Sequence, residues 1–314
     1  MNRRTFSQKI SLATIALKVP FSSWSRPNPK HNFKVCLNPG AIGISLDQRN
    51  LLKAAISYGY GAIVPFPSEM LSWSIEMRNS LVADMKTSNI TWGSANLPVE
   101  FRKDDSIFQA DLKKLEKQSQ VLESVGGTRM NTWIMPTNPS LSYTENMNQH
   151  AARLKECAKT MGQYNIRLGL EYVGPKTLMV KERYPFIHTL PECQELIARI
   201  DEPNVGIVLD TFHWYCSEGS LAELKNLNKE DIVTVDLNDA VSGVPRNEQL
   251  DWKRELPGIS GVIDIQSFLE TLVAIGYDGP VRSEPFNEKL NSMKYDEAMK
   301  FNKKALDDVL APFK

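Results

Sequence analysis

Short runs of apolar residues alternate along the chain with longer stretches whose apolar residues recur every three or four positions. The short runs predict buried strands and the longer stretches predict amphipathic helices. The predicted strands span 33–37, 62–65, 90–95, 129–134, 166–171, 205–210, 232–239 and 281–284. The predicted helices span 47–58, 68–85, 104–125, 143–164, 190–200, 220–227, 264–275 and 296–310.

This alternation predicts an α/β fold with a parallel sheet, because parallel strands need helical crossovers between them. Eight strand–helix units without a break in composition favour closure into a single-domain (β/α)8 TIM barrel over residues 31–314. The competing fold is an open, doubly wound sheet. The turn after the first strand, Asn38-Pro39-Gly40, lacks the glycine pattern of a dinucleotide-binding loop, and this favours the barrel.

Four predicted strands, the fifth to the eighth, end on or beside an acidic residue. These residues are Glu171, Asp210, Asp236 and Glu284. In a parallel barrel the carboxyl ends of the strands meet at one mouth, so the four carboxylates are expected close together. A single acid in such a place is usually a helix cap or a solvated loop residue. Four together predict a divalent cation that offsets their repulsion.

Other residues near the same mouth are candidates for binding a substrate. His213 follows Asp210 by three residues, and Trp133 lies near the end of the fourth strand. Arg254 and Lys176 fall in predicted loops above the mouth. Each has a plainer interpretation. His213 could be a structural histidine, Trp133 a core residue, and Arg254 and Lys176 solvated surface cations.

The charge balance gives no support for a polyanionic partner. Lysine plus arginine and aspartate plus glutamate number 37 each, so the formal net charge is zero. This gives no electrostatic reason to expect nucleic acid or an anionic membrane as a partner. The four cysteines form no CxxC pair, and we expect buried free thiols.

The N-terminal residues 1–30 are predicted to lie outside the barrel. Arg3-Arg4 and the short apolar run that follows resemble a twin-arginine export signal, which predicts a periplasmic protein. The alternative is a basic tail on a cytoplasmic protein. No other stretch is long enough to cross a bilayer, so no membrane span is expected.

Three segments carry a resemblance to a known family. They are 168–177 (LGLEYVGPKT), 208–214 (VLDTFHW) and 276–286 (GYDGPVRSEPF). They resemble the sugar phosphate isomerase/epimerase family, within the xylose-isomerase-like barrel superfamily. The resemblance extends over roughly residues 33 to 312, and it indicates the superfamily more specifically than the substrate.

The resemblance implies a single divalent metal ion, with Mn²⁺ or Mg²⁺ expected first and Co²⁺ or Zn²⁺ as alternatives. It implies Glu171, Asp210 and Glu284 as metal ligands, with Glu171 and Glu284 also the acid–base pair. It further implies His213 and Arg254 as substrate-binding residues. At the remaining ligand position the family has histidine where this chain has Asp236. Aspartate can bind a metal, but it adds a negative charge and is expected to favour harder cations.

The predicted function is therefore a metal-dependent sugar isomerase or epimerase that removes a proton beside the carbonyl of a ketose or keto-sugar. A keto-glycoside lyase or hydratase shares this first step, and a sugar-binding barrel without catalysis is a further alternative. An endonuclease-IV-like nuclease is disfavoured, because that site needs several histidines and the chain has only four, well separated. The expected partner is a small sugar, and a homo-oligomer stays open.

Overall fold

The barrel strands of the structure lie where the apolar runs predict them. A computed structural model describes residues 30–314, so the predicted export signal lies outside the described residues. The strands are β1 (Lys34–Leu37), β2 (Ala62–Ile63), β3 (Thr91–Trp92), β4 (Ala95–Asn96), β5 (Arg129–Ile134), β6 (Thr137–Asn138), β7 (Arg167–Tyr172), β8 (Tyr184–Pro185), β9 (Val205–Asp210), β10 (Ile232–Asp236) and β11 (Pro280–Arg282).

Nine of these strands form one parallel sheet in the order β3-β2-β1-β11-β10-β9-β7-β5-β4. The two end strands, β3 and β4, are separated by only two residues. Because β3 pairs with β2 and β4 pairs with β5, this one segment joins both edges of the sheet and completes a barrel. The predicted (β/α)8 TIM barrel is confirmed, with the predicted third strand divided in two.

The division falls at Gly93, and packing explains the need for glycine there. Its backbone N–H donates to the carbonyl of Ile63 at 2.8 Å. A Cβ atom added at this position would lie 2.5 Å from Cys36 Sγ. The backbone of the third strand can therefore approach β1 closely only because no side chain intervenes.

The longer helices follow the predicted pattern with one clear exception. They are α1 (Gln48–Tyr58), α2 (Pro67–Met70), α3 (Ile75–Thr87), α4 (Asp105–Ser124), α5 (Tyr143–Gly162), α6 (Lys176–Met179), α7 (Leu190–Ile200), α8 (Thr211–Cys216), α9 (Leu221–Lys225), α10 (Ile265–Ala274), α11 (Glu288–Asn291) and α12 (Tyr295–Leu310). Of these, α6, α8 and α11 are short helices in segments predicted as loops. The single helix predicted over 68–85 is wrong. The side chain of Ser74 accepts a hydrogen bond from Met77 N–H, so a new helix begins there instead of continuing from α2.

Local sequence also sets the ends of the longer helices. Ser142 and Glu145 form a reciprocal capping box at the start of α5, and Thr189 and Glu192 do the same for α7. Gly59 adopts φ +73° and ends α1. These signals fix the residues at which α1 ends and at which α5 and α7 begin.

Those loops include a small feature that the apolar pattern does not predict. Strand β6, just after β5, pairs antiparallel with β8, which follows β7. The two segments stand at the mouth where the carboxyl ends of the barrel strands meet. Within residues 30–314, no helix combines the length and the apolar composition needed to cross a bilayer.

The close approach at Gly93 predicts a specific destabilisation. Gly93→Ala should lower the free energy of unfolding by about 1–3 kcal/mol, because the new methyl group overlaps Cys36 Sγ. Urea denaturation measures this. Gly61→Ala is the matched control, since its added Cβ would meet nothing closer than 4.0 Å. Combining Gly93→Ala with Cys36→Ala should recover part of the loss, and additive losses would contradict this explanation.

Candidate active site and metal centre

Four carboxylates meet at the mouth of the barrel. Glu171 lies in β7, Asp210 and Asp236 end β9 and β10, and Glu284 follows β11 by two residues. Each offers one oxygen, and these four oxygens lie within 4.8 Å of one another. The register of the sheet explains this, since Asp236 pairs directly with Asp210 across β10 and β9. The clustering predicted from the strand ends is therefore present.

Asp210 is fixed in place by four hydrogen-bond donors. Its Oδ1 accepts from the backbone N–H groups of Phe212 (2.6 Å) and His213 (3.2 Å), so it also caps α8. Its Oδ2 accepts from Asn238 Nδ2 at 2.8 Å and from Arg254 Nη1 at 2.9 Å. A fully buried carboxylate with this many donors has a single well-defined orientation.

Asn238 links two of the acids. While its Nδ2 donates to Asp210, its Oδ1 accepts from the backbone N–H of Glu284 at 2.8 Å. Its own backbone N–H donates to Thr211 Oγ1 at 2.7 Å. The buried amide therefore sets the position of Glu284 relative to Asp210.

Arg254, 1 % exposed, is the first of two buried cations in the cluster. Its guanidinium donates to Asp210 and to Asp251 Oδ1 (2.7 Å), and it lies 3.8 Å from Glu284 Oε2. It stacks between the rings of Phe212 and Phe286, at 4.8 and 4.7 Å. Burial lowers the pKa of Arg254, but the surrounding carboxylates outweigh burial and raise it, so the group stays charged.

Arg282 is the second buried cation, and the sequence analysis did not single it out. Its Nε donates to Asp236 Oδ1 at 2.6 Å, and its Nη2 donates to Asp236 Oδ2 at 3.0 Å. Both residues are buried, with exposures of 3 % and 0 %. Asp236 is thus held in a bidentate ion pair inside the barrel.

This pair limits the electrostatic effect of aspartate at position 236. The negative charge of Asp236 is matched by Arg282, so the two residues together add no net charge to the mouth. Asp236 is near enough to the other acids to share a cation with them, and it has already been neutralised. Asp236 still raises the pKa of Glu284, as expected for an added carboxylate, while Arg282 offsets its formal charge.

His213 faces the same cluster from the first turn of α8. The backbone N–H of Gly174 donates to its Nδ1 at 3.3 Å, and its Nε2 lies 3.8 Å from Asp251 Oδ1. Burial, aided by the nearby Arg254, lowers the pKa of His213 to about 3. The ring is therefore neutral at ordinary pH, and its Nε2 lies 3.3 Å from Arg254 Nη2, a group that can only donate.

Glu171 differs from the other acids because its Oε1 is buried without a hydrogen-bond partner among residues 30–314. An orphaned carboxylate oxygen surrounded by further carboxylates fits a bound cation. All four acids offer hard oxygen donors, which suit a divalent metal ion. The site therefore has the composition of a divalent metal centre. A bound metal ion would give Glu171 Oε1 the partner that it lacks among residues 30–314.

The pKa values of Glu171, Asp210 and Glu284 are raised, chiefly by burial. Burial, together with Glu284 and Asp210 nearby, raises the pKa of Glu171 well above its usual value. Burial raises the pKa of Asp210 to about 6 against the opposing effect of Arg254. Burial and the neighbouring Asp236 raise the pKa of Glu284 to about 7. Carboxyl groups that exchange protons near neutral pH are suited to acid–base catalysis.

Glu171 and Glu284, two of the four acids, line a cavity of about 330 Å³. Of the predicted substrate-binding residues, His213, Arg254 and Trp133 line it. Trp133 is half exposed, and Arg102 stacks on its ring at 4.8 Å. Lys176 is exposed at the start of α6 and is not among the lining residues, so the structure does not bring it into the site.

Several lining residues were missed in the sequence, and only one had a readable signal. Arg282 precedes Glu284 by two positions, and alternate residues of a strand share a face. A charged residue in a buried strand on the face of a candidate ligand is such a signal. Asn96, Asn131 and Asp251 also line the cavity, but nothing in their local sequence distinguishes them from ordinary loop or strand residues.

A closed parallel barrel with buried carboxylates at its C-terminal mouth defines a class of TIM-barrel protein whose reactive groups stand at the ends of the strands. The family model of the xylose isomerase-like TIM barrel matches residues 52–305. The chain belongs to this family.

Two curated relatives and one solved structure illustrate the similarity. Inosose isomerase of Bacillus subtilis is 27% identical over 160 residues, which cover 51% of this chain and 54% of that protein. The 3-dehydroshikimate dehydratase of Pseudomonas aeruginosa is 33% identical over 105 residues, covering 32% of this chain and 16% of that protein. The match thus spans about half the length of the first relative and less of the second.

The structure of the IOLI protein with a bound zinc atom superposes with a TM-score of 0.75 at 20% identity. The superposition covers 90% of this chain and 99% of that one. At this identity the likeness shows the fold, and the zinc belongs to that protein.

The Asp236–Arg282 pair leads to a test of stability. Asp236→Asn should lower the free energy of unfolding by about 3–5 kcal/mol, because it leaves the Arg282 guanidinium buried without a counter-charge. Urea denaturation in metal-free buffer measures this. Replacing both residues, Asp236→Leu with Arg282→Met, should cost less than the single change. Asp308→Asn, which breaks an exposed pair with Lys304, is the control and should have little effect.

The raised pKa of Glu284 leads to a test of pH dependence in protein stripped of metal. In the folded state the carboxyl titrates at about 7, against 4.5 ordinarily, so folding favours its protonated form. The wild type should therefore lose stability relative to Glu284→Gln as the pH rises from about 4.5 to about 7. His150 and His213 act in the opposite direction, because burial lowers the pKa of each, but both variants share them. A stability difference that stays constant with pH would contradict this assignment.

Proposed function

We propose that this protein is a metal-dependent isomerase or epimerase that moves a proton at the carbon beside the carbonyl of a ketose or keto-sugar. The proposal rests above all on Glu171 and Glu284, whose carboxylates enter one cavity from two separate strands. The similarity to inosose isomerase supports the same kind of chemistry.

Glu171, Asp210 and Glu284 would hold the cation, and Asp236 would complete the set through an oxygen that it shares with Arg282. Mn²⁺ and Mg²⁺ suit these hard ligands best, with Co²⁺ and Zn²⁺ as alternatives. When bound, the cation would polarise the carbonyl of a sugar and an adjacent hydroxyl.

The two glutamates would perform the proton transfer. Strands β9 and β10 lie between β7 and β11 in the sheet, so Glu171 and Glu284 reach a bound sugar from different directions. One carboxylate takes a proton from the carbon beside the carbonyl, and the other returns a proton to the resulting enediolate. Return to the opposite face of the same carbon gives an epimer, and return to the neighbouring carbon gives an isomer.

The surrounding residues would orient the sugar. The ring of His213 and the guanidinium of Arg254 would lie beside a bound sugar, and both side chains are buried and held by fixed partners. The exposed face of Trp133 offers a surface for the apolar side of a sugar ring. Asn238 would act as a positioning residue, because it holds Asp210 and Glu284 and does not line the cavity.

A lyase is the second candidate, because part of the chain is similar to a 3-dehydroshikimate dehydratase. Removal of the same proton followed by loss of a group from the next carbon would give an unsaturated product. The two reactions share Glu171 and Glu284 and differ in what leaves the substrate.

The proposal is tested by proton exchange in deuterated water. The protein is incubated with D-fructose, D-psicose and an inosose, and NMR detects deuterium at the carbon beside the carbonyl. Glu284→Gln and Glu171→Gln should each reduce exchange by at least about 100-fold, because each removes one partner of the proton transfer. Glu288→Gln, an exposed glutamate in α11, is the matched control and should exchange normally.

A chelator should abolish exchange, and added Mn²⁺ or Mg²⁺ should restore it. Full exchange by folded Glu284→Gln, or undiminished exchange after chelation, would disprove the proposed mechanism. An unsaturated product in place of an epimer or isomer would assign the protein to the lyases.

A further inference from the structure

The site cavity has a neighbour on the same mouth of the barrel. A second cavity, of about 230 Å³, lies beyond the carboxyl ends of β1, β2 and β4, where none of the four site carboxylates stands. Its lining includes Asn38, Phe66, Ser68, Ser94 and Gln118. It therefore adjoins the site without containing the groups proposed to react.

Two residues are common to the linings of the two cavities. Asn96 and Arg282 line both of them. Asn96 ends β4, and Arg282 ends β11. A ligand that occupied both cavities would contact these two side chains. The polar atoms of Asn96 and Arg282 would therefore help to select the ligand.

Arg282 is unusually well prepared for such a contact. Its Nε and Nη2 are committed to Asp236, which fixes the plane of the guanidinium. Its Nη1 makes no hydrogen bond to any residue in the described part of the chain. A donor of fixed direction at the boundary of two cavities suits an oxygen atom that lies between them.

The chemistry of the second cavity favours a neutral, hydroxylated ligand. Its lining combines amide and hydroxyl side chains with Phe66 and proline residues. Arg282 is the sole ionisable lining residue within 30–314. Because Asp236 already neutralises Arg282, no uncompensated positive charge is available for a phosphate or carboxylate. Amide groups beside an aromatic ring are instead suited to the hydroxyls and the apolar face of a sugar.

We propose that the second cavity binds a second sugar ring, so that the substrate class is a glycosylated ketose or keto-sugar instead of a free monosaccharide. This inference rests on the proposed function, which places the reacting ring in the first cavity. The glycosidic or ring oxygen between the two sugars would accept a hydrogen bond from Arg282 Nη1. The volume equals that of about seven or eight water molecules at roughly 30 Å³ each, which is room for one ring and not for a longer chain.

Calorimetric titration of the full chain with D-fructose, lactulose and isomaltulose tests the second subsite. The two disaccharides carry their second ring on different hydroxyls of fructose, so they place it in different directions. At least one should bind about tenfold tighter than D-fructose, a gain of about 1.4 kcal/mol. Equal or weaker binding of both disaccharides would overturn the inference.

Substitutions in the second cavity locate the effect. Ser68→Trp narrows the cavity at its exposed rim, and Gln118→Ala removes one amide. Each should weaken binding of the preferred disaccharide by about fivefold, as expected for a lost hydrogen bond or a displaced ring, and leave D-fructose unaffected. Ser72→Trp is the matched control, because Ser72 is exposed and lies outside the lining. Unchanged disaccharide affinity in both cavity variants would also overturn the inference.

The two proposals fail in different ways. Proton exchange on D-fructose without any preference for disaccharides would retain the proposed function and remove the second subsite. Preferential binding of a disaccharide without exchange on any ketose would retain the subsite and remove the proposed reaction.

Discussion

The concentration of negative charge inside the barrel mouth constrains everything built around it. Carboxylates within 4.8 Å of one another repel strongly when buried, and each must be neutralised, protonated or bound to a cation. Two buried arginines offset part of this charge, and backbone and amide groups donate hydrogen bonds to Asp210. Among residues 30–314, the buried Oε1 of Glu171 has no hydrogen-bond partner, and the metal ion is proposed for this reason.

The two arginines neutralise the cluster in different ways. Arg254 touches three acids and two aromatic rings, so it is a central part of the site whose position depends on several loops. Within residues 30–314, the guanidinium of Arg282 forms its ion pair with Asp236, and the residue belongs to the barrel wall. The first arrangement links several groups of the site to one another. The second neutralises a single acid and leaves Arg282 Nη1 without a hydrogen-bond partner among residues 30–314.

The sequence predicts the barrel and the acids at its mouth because both depend on local patterns. Apolar runs ending in Glu171 or Asp210 carry their own evidence of burial and direction. The break of the third strand at Gly93 depends on Cys36 in a different strand, and no local pattern records that contact. The pairing of Asp236 with Arg282 likewise depends on the register of β10 and β11, so the sequence shows both residues without showing that they meet. Lys176 follows β7 closely in the sequence, but its segment has no periodicity that predicts which way the side chain points. In the structure the side chain is exposed at the start of α6 and does not line the cavity.

The Asp236–Arg282 pair also restricts the mutational routes open to this protein. A chain that acquires only one of the two charges must bury it without its partner, which costs several kcal/mol, a large part of the stability of an ordinary domain. Positions 236 and 282 are therefore expected to change together or not at all. For protein engineering this means that histidine at 236 should be introduced with a neutral side chain at 282, and that libraries varying one position alone will recover poorly folded proteins.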